Sequence, residues 1–156
     1  MTDMLVKLYE LPPLDSQIES MRGQGIVIRR GMAYEKSRIV AWVSRNFDER
    51  WASECDVAFG NRPISCFIAT HEGQLKGFAC YDSTCRDYFG PVGVDASARG
   101  RGIGTALLLN CLHAMAAQGY GYAIIGAVHD VEFYRKAVGA VAIEGSWPGV
   151  YRDRLK

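Results

Sequence analysis

The sequence predicts a mixed α/β fold in which a central sheet is flanked by helices. Short β-branched and apolar runs, such as Ile26 to Arg30 and Tyr122 to Val128, alternate with longer segments whose apolar residues recur at helical spacing. A hairpin pattern in the middle of the chain leads into a strand, a glycine-rich turn, a long helix, a strand and a helix. The 156 residues, of which 49% are hydrophobic and 22% charged, have the composition of a globular protein.

Strand and helix patterns alternate in the first 60 residues. Pro12 and Pro13 end the first strand, since proline has no N–H to donate to a ladder, and glycines close the first helix. A helical period then continues long enough for two helices, which we expect to separate near Phe47-Asp48. The predicted elements are a strand over Met4 to Leu11, a helix over Leu14 to Gly23, a strand over Ile26 to Arg30 and two helices between Tyr34 and Phe59.

The second part of the chain begins with a predicted hairpin, whose short loop, His71 to Gln74, contains a glycine. The later helix over Ile103 to Gln118 has no breaker and is apolar on most faces, which predicts burial on more than one side. The predicted strands are Ile64 to Thr70, Leu75 to Tyr81, Tyr88 to Val94, Tyr122 to Val128, Val141 to Glu144 and Gly149 to Arg152, with a last helix over Val131 to Val138 closed by Gly139.

Charge and composition exclude several classes of protein. With 18 Lys and Arg against 17 Asp and Glu, the chain has no broad basic field, so we expect no nucleic-acid partner. No apolar run reaches the roughly 18 residues of a membrane span, and the N-terminus lacks signal-peptide organisation, so we expect a cytoplasmic protein without a membrane partner. The five cysteines have no metal-binding spacing; we expect reduced thiols and no metal, with Cys66 and Cys80 as small hydrophobic residues inside strands.

The most informative segment is the turn between the predicted strand Tyr88 to Val94 and the long helix. Gly100, Gly102 and Gly104 lie at alternate positions, and Arg99 and Arg101 add two cations. Glycine allows close backbone approach, while the first N–H groups of a helix lack internal partners and lie at the positive end of the macrodipole. The pattern therefore predicts a phosphate-binding turn, the alternative being a loop that only reverses the chain.

Two common phosphate motifs do not fit this turn. A P-loop requires a lysine after its last glycine, and none follows here. A dinucleotide motif starting at Gly100 would need a third glycine where Thr105 stands, and an acidic residue about 20 positions later, where the sequence has Gly119 to Tyr122.

Arg99-x-x-Gly102-x-Gly104 resembles the Arg/Gln-x-x-Gly-x-Gly/Ala pyrophosphate motif of the GNAT superfamily of acetyl-CoA-dependent N-acetyltransferases. The strand ending Gly93-Val94-Asp95, the helix start, the segment Glu132 to Ala140 and the strand Ile26 to Arg30 are also similar to that family. The resemblance implies a mixed, mostly antiparallel central sheet flanked by helices, preceded by an extra N-terminal strand and helix. We expect residues 1–156 to form one domain with its core at about 26–155.

The resemblance also implies acetyl-CoA as co-substrate, without a metal, and assigns roles to particular residues. Tyr134 matches the tyrosine that donates a proton to the leaving thiolate, and a backbone N–H near Gly93 or Val94 would stabilise the oxyanion. By the same likeness Val92 and Val94 would pair with the pantetheine arm. The residues expected at the pyrophosphate are Arg99, Gly100, Arg101, Gly102, Ile103, Gly104 and Thr105.

The general base remains open among Glu54, His129 and a water chain; a solvated Glu54 and a loop histidine without a role are the plainer interpretations. The family often carries an asparagine between the strand and the tyrosine helix, but the segment Ala127 to Val131 has none. Four aromatic residues are interpreted as core rather than pocket, and three arginines as solvated rather than bound to a substrate carboxylate: these are Trp42, Trp51, Phe67, Phe78, Arg45, Arg50 and Arg62.

The function that this sequence favours is transfer of an acetyl group from acetyl-CoA to a primary amine, with a small molecule preferred as acceptor. Two alternatives keep the fold: a non-catalytic module that binds acetyl-CoA as a sensor, and an acyltransferase that uses a longer acyl-CoA. A homodimer could form by edge pairing of the last strands.

Overall fold

The computed structural model describes residues 1–156 and contains seven strands and five α-helices. The strands form one sheet. They are β1 (Thr2–Lys7), β2 (Ile26–Arg30), β3 (Cys66–His71), β4 (Gln74–Tyr81), β5 (Tyr88–Val94), β6 (Tyr122–Val128) and β7 (Val141–Ile143). The helices are α1 (Asp15–Gly23), α2 (Lys36–Asn46), α3 (Glu49–Gly60), α4 (Ile103–Ala117) and α5 (Val131–Val138).

The strand order is β2-β3-β4-β5-β6-β1-β7, and every neighbouring pair except β5 and β6 is antiparallel. The predicted mixed, mostly antiparallel sheet flanked by helices is therefore confirmed, and so is the additional N-terminal strand. That strand is shorter than expected, because a short 3-10 helix, Leu8–Glu10, follows it. It lies inside the sheet, antiparallel to both β6 and β7, and so completes the sheet.

The predicted last strand, Gly149 to Arg152, is wrong. Residues Gly149–Tyr151 form a 3-10 helix, in which the Tyr151 N–H donates to the Pro148 carbonyl at 2.8 Å. Gly149 has a φ of +51°, a left-handed conformation that no extended strand contains. The chain therefore turns back at this point.

Helices cover both faces of the sheet. α4 packs on one face, and most of its residues are buried in a cluster with the inward side chains of β1 and β6, as its all-round apolar pattern predicts. α2 and α3 cover the other face around Phe78. Cys66 and Cys80 are buried there, as predicted, beside Cys55 of α3. None of the five helices combines the length and hydropathy that a membrane span requires.

The parallel strands β5 and β6 separate after a short contact. Their paired residues are Tyr88 with Ile124 and Phe89 with Ile125, after which the ladder ends. Beyond this point Ala127 has a φ of +52°, and its N–H donates at 2.9 Å to the Asp3 carboxylate on β1. We call the gap that opens between β5 and β6 the fork; it leaves one edge of β5 without a strand partner.

Candidate functional site

A cavity of about 640 Å³ lies along β5 and the N-terminus of α4. It brings together every predicted cofactor-binding residue except Arg101, and it includes the predicted catalytic tyrosine. Arg101 is exposed, and its carbonyl accepts a hydrogen bond from the Gln24 side chain at 3.0 Å. The predicted residues that line the cavity are Val92, Gly93, Val94, Arg99, Gly100, Gly102, Ile103, Gly104, Thr105 and Tyr134.

The turn before α4 has the geometry of an anion site. Gly100 and Gly102 have φ values of +79° and +85°, in the left-handed region that glycine adopts without a steric cost. The first hydrogen bond of α4 runs from the Ala106 N–H to the Gly102 carbonyl at 3.0 Å, and no side chain caps the helix. The preceding N–H groups, of residues 103–105, therefore point into the turn without an internal partner, at the positive end of the helix dipole.

The free edge of β5 continues from this turn into the fork. The Asp95 N–H donates to the Lys76 carbonyl of β4 at 2.8 Å. Because the backbone groups of successive strand residues point to opposite sides, Val92 and Val94 direct their N–H and carbonyl groups away from β4. The Val94 carbonyl is contacted on that side by Arg99 Nε at 3.4 Å. An extended ligand chain could hydrogen-bond to β5 here as a further strand does.

Aromatic side chains frame the cavity from two directions. Phe47 and Trp51 come from the junction of α2 and α3, with ring centroids 5.2 Å apart, and Phe133 comes from α5. The Phe47 ring lies against Gly93 so closely that a Cβ there would meet two ring carbons at 2.8 Å. The core interpretation is confirmed for Phe67 and Phe78. It holds only in part for Trp51, which is half-buried, packs against the core cluster of α2 and α3, and also lines the cavity.

Tyr134 points into the cavity from the second turn of α5, whose N-terminus is capped by Asp130: its carboxylate accepts the Phe133 N–H at 3.0 Å. Burial raises the pKa of Tyr134 to about 12, and the charge of Asp130 adds to the shift. The hydroxyl therefore keeps its proton at neutral pH and can act as a hydrogen-bond donor toward the cavity.

The two candidate bases differ in their surroundings. His129 is exposed in the loop after β6, whereas Glu54 is half-buried one turn after Trp51 on α3. The Glu54 carboxylate accepts a hydrogen bond from the Thr84 hydroxyl. Burial raises the pKa of Glu54, the Thr84 hydrogen bond opposes the shift, and the charge of Asp48 adds to it. The expectation of a solvated Glu54 is therefore wrong.

Several lining residues were not predicted from the sequence. Phe47 was expected only to mark the break between two helices, and Phe133 only to belong to the last helix. The signal that could have found Phe133 is its position next to Tyr134. The arginines Arg45, Arg50 and Arg62 do not line this cavity, and the Arg62 guanidinium is bound to the Phe59 carbonyl at 2.9 Å.

Three solved structures illustrate the fold that this chain shares. The GCN5-related glucosamine N-acetyltransferase region of a fungal multidomain GH3 β-N-acetylglucosaminidase has a TM-score of 0.75 at 17% identity, over 91% of this chain and 19% of that chain. A GCN5-related N-acetyltransferase from Sphaerobacter thermophilus has a TM-score of 0.67 at 20% identity, over 91% of this chain and 48% of that chain. A GNAT family acetyltransferase from Brucella melitensis, solved with acetyl-CoA, has a TM-score of 0.58 at 17% identity, over 76% of this chain and 86% of that chain.

At these identities the likeness shows the fold, and the chain spans less than half of the length of the first two structures. No curated protein matches the sequence. The sheet, the fork and the glycine turn define the class: an acetyltransferase fold. The family model described as "Acetyltransferase (GNAT) family" matches residues 32–140. The chain therefore belongs to the GNAT acetyltransferases, a family of acyltransferases that use acetyl-CoA.

Proposed function

We propose that this protein is an N-acetyltransferase that transfers the acetyl group of acetyl-CoA to the primary amine of a small molecule. The observation that carries the proposal is that one cavity joins the unpaired N–H groups at the start of α4 to the free edge of β5. A phosphate group and an extended amide-containing arm can bind to these two features at the same time. Acetyl-CoA has both.

The chemistry of the lining residues fits acetyl-CoA. The N–H groups of residues 103–105 and the Arg99 guanidinium would hold the pyrophosphate, and Val92 and Val94 would hold the pantetheine arm. Gly100 and Gly102, which have no side chain, let the backbone of the turn approach the phosphates closely. Acetyl-CoA supplies an activated acetyl group as a thioester.

Two side chains of the protein would accept and donate the protons of the reaction. An alkylammonium has a pKa near 10.4 and must lose a proton before its nitrogen can attack. Glu54 is our candidate to accept it, because burial raises the pKa of this carboxyl and makes it a stronger base than an exposed glutamate. Tyr134 would donate from its hydroxyl to the leaving sulfur, whose negative charge increases as the C–S bond breaks.

A small acceptor is preferred because aromatic rings line the cavity and because the sequence, with 18 Lys and Arg against 17 Asp and Glu, has no charge bias suited to a charged protein tail. The glucosamine N-acetyltransferase region that shares the fold makes glucosamine one reasonable acceptor to test. A sensor without catalysis and an acyltransferase for longer chains remain the alternatives. Three expectations from the sequence stay predictions. They are a homodimer through the edge strand β7, a cytoplasmic location and a single domain over residues 1–156.

The test is a turnover assay that follows release of the CoA thiol with a panel of primary amines. The wild-type protein is compared with Tyr134→Phe and with Tyr122→Phe, an exposed tyrosine on β6 that lies outside the cavity. We expect transfer with at least one amine, a kcat lowered about 10²- to 10⁴-fold by Tyr134→Phe, and no change with Tyr122→Phe. Binding of acetyl-CoA without transfer to any amine would favour the sensor. Faster turnover of a longer acyl-CoA would favour the other alternative.

A further inference from the structure

The hydroxyl of Tyr151 lies at the closed end of the fork. β6 pairs with β5 as far as Ile125, so Gly126 is the first residue of β6 beyond the contact. A Cβ on Gly126 would overlap the Tyr151 hydroxyl oxygen and would meet two ring carbons of Tyr88 at 3.1 Å. Two tyrosines therefore pack directly on the backbone where the two strands separate.

Segments outside the family match hold this arrangement in place. Tyr151 belongs to the C-terminal 3-10 helix, and its ring packs on Trp147 with centroids 5.8 Å apart. The Tyr88 hydroxyl donates at 3.4 Å to Asp3, which is only 5% exposed and also accepts the Ala127 N–H. The matched residues run from 32 to 140, so both Asp3 and Tyr151 lie outside the match.

The surroundings of Tyr151 are acidic. Burial raises its pKa well above the usual range, and the groups that raise it further are Asp3, Glu54, Tyr88 and Cys85. Two of these groups, Asp3 and Glu54, are carboxylates, so a negative charge placed here would be repelled and a positive charge attracted. The tyrosine hydroxyl itself remains neutral and can both donate and accept a hydrogen bond.

Glu54 connects this end of the fork to the cavity. It lies on α3 one turn beyond Trp51, which lines the cavity, and its charge acts on Tyr151. If acetyl-CoA occupies the cavity along β5, the acceptor must reach the thioester from a side that the cofactor leaves open. The face with Glu54, Tyr88 and Tyr151 offers a carboxylate and two hydroxyls at the closed end of the fork.

We propose that Tyr151, with Glu54 and Tyr88, forms the acceptor-binding wall and selects small amines that carry no carboxylate beside the reacting nitrogen. This inference rests on the proposed N-acetyltransferase function. It deepens that function by naming the acceptor class and by assigning specificity to the C-terminal 3-10 helix. An ammonium group would be attracted to this wall, whereas an α-amino acid would bring its carboxylate toward Glu54 and the buried Asp3.

The experiment compares matched acceptors and matched variants. The acceptors are phenethylamine against phenylalanine, histamine against histidine and 1,4-diaminobutane against ornithine, with glucosamine added. The variants are Tyr151→Ala and Tyr151→Phe, with Val150→Ala as control, because Val150 lies in the same 3-10 helix and is 51% exposed. Binding of acetyl-CoA and thermal unfolding establish that each variant is folded.

We expect the carboxylate-free member of a pair to be used with a kcat/KM at least about tenfold higher. Tyr151→Ala and Tyr151→Phe should raise the KM for the amine by about tenfold, the effect of one lost hydrogen bond to a charged group. The KM for acetyl-CoA should stay within about twofold, which a general loss of structure would not allow. Val150→Ala should change neither value.

The outcomes separate this inference from the proposed function. Transfer that prefers the amino acids, or an amine KM that both Tyr151 variants leave unchanged, overturns the acceptor wall while the N-acetyltransferase activity stands. No transfer to any amine overturns both. If Tyr151→Ala is unfolded, the amine KM of Tyr151→Phe, which keeps the ring on Gly126, decides the matter alone.

Discussion

Gly102→Ala tests the part of the site on which the proposal rests. Gly102 precedes α4 with a φ of +85°, and a left-handed conformation costs a residue with a Cβ about 1–2 kcal/mol. For a chain of this size each kcal/mol lowers the unfolding temperature by about 2–4 °C, so we expect a decrease of about 2–8 °C. To relieve the strain the turn must rotate, which moves the free N–H groups of residues 103–105 away from their common target. Loss of one hydrogen bond to a phosphate weakens binding by about tenfold or more.

The matched control is Gly104→Ala, two residues further along. A Cβ on Gly104 would meet only a Val94 methyl carbon at 3.8 Å, an ordinary contact, and alanine stabilises a helix by about 0.5–1 kcal/mol over glycine. Acetyl-CoA titration by calorimetry and thermal unfolding measure both variants. Gly102→Ala should lose stability and affinity, whereas Gly104→Ala should keep both. Equal acetyl-CoA affinity in Gly102→Ala and the wild-type protein would refute the assignment of the turn.

Two further predictions concern the proposed base Glu54 and the carboxylate of Asp3. Glu54→Gln should lower kcat by about 10²- to 10⁴-fold if Glu54 is the base. Because burial raises the pKa of Glu54, the wild-type kcat/KM should fall with decreasing pH at a pKa above the ordinary glutamate value of about 4.3. This acidic limb should be absent from the pH profile of Glu54→Gln. A Glu54→Gln profile identical to that of the wild-type protein contradicts the role of Glu54 as base. Asp3→Ala should destabilise the protein by about 1–3 kcal/mol in urea unfolding, since the Ala127 N–H loses its acceptor, and a change below about 0.5 kcal/mol would mean that Asp3 does not hold the fork.

The local features of this protein were predictable from the sequence. The turn around Gly102 is specified by residues that are adjacent in the chain, because alternating glycines and a following helix define both the backbone conformation and the free N–H groups. The buried helix α4 was predictable for the same reason: its apolar pattern lies within one segment. The turn and the start of α4 are both part of the family resemblance.

Features that depend on distant residues were not predictable. The position of β1 between β6 and β7 depends on a register with residues more than 100 positions away, which no local pattern encodes. The hydrogen bond that Glu54 accepts comes from Thr84, 30 residues further along the chain. The wrong strand at Gly149 to Arg152 is a further case: the segment after Pro148 looks like a short strand in the sequence, but the backbone turns back there and places Tyr151 against Gly126.

The most direct test of the account is thermal unfolding of the wild-type protein with acetyl-CoA and, separately, with NAD. A ligand that binds only the native state stabilises it by about 2.7 kcal/mol at a hundredfold excess over Kd, which corresponds to an increase of about 5–11 °C in this size range. We expect such a shift with acetyl-CoA and none with NAD. The absence of a shift at millimolar acetyl-CoA would contradict the cofactor assignment and, with it, the proposed acetyl transfer.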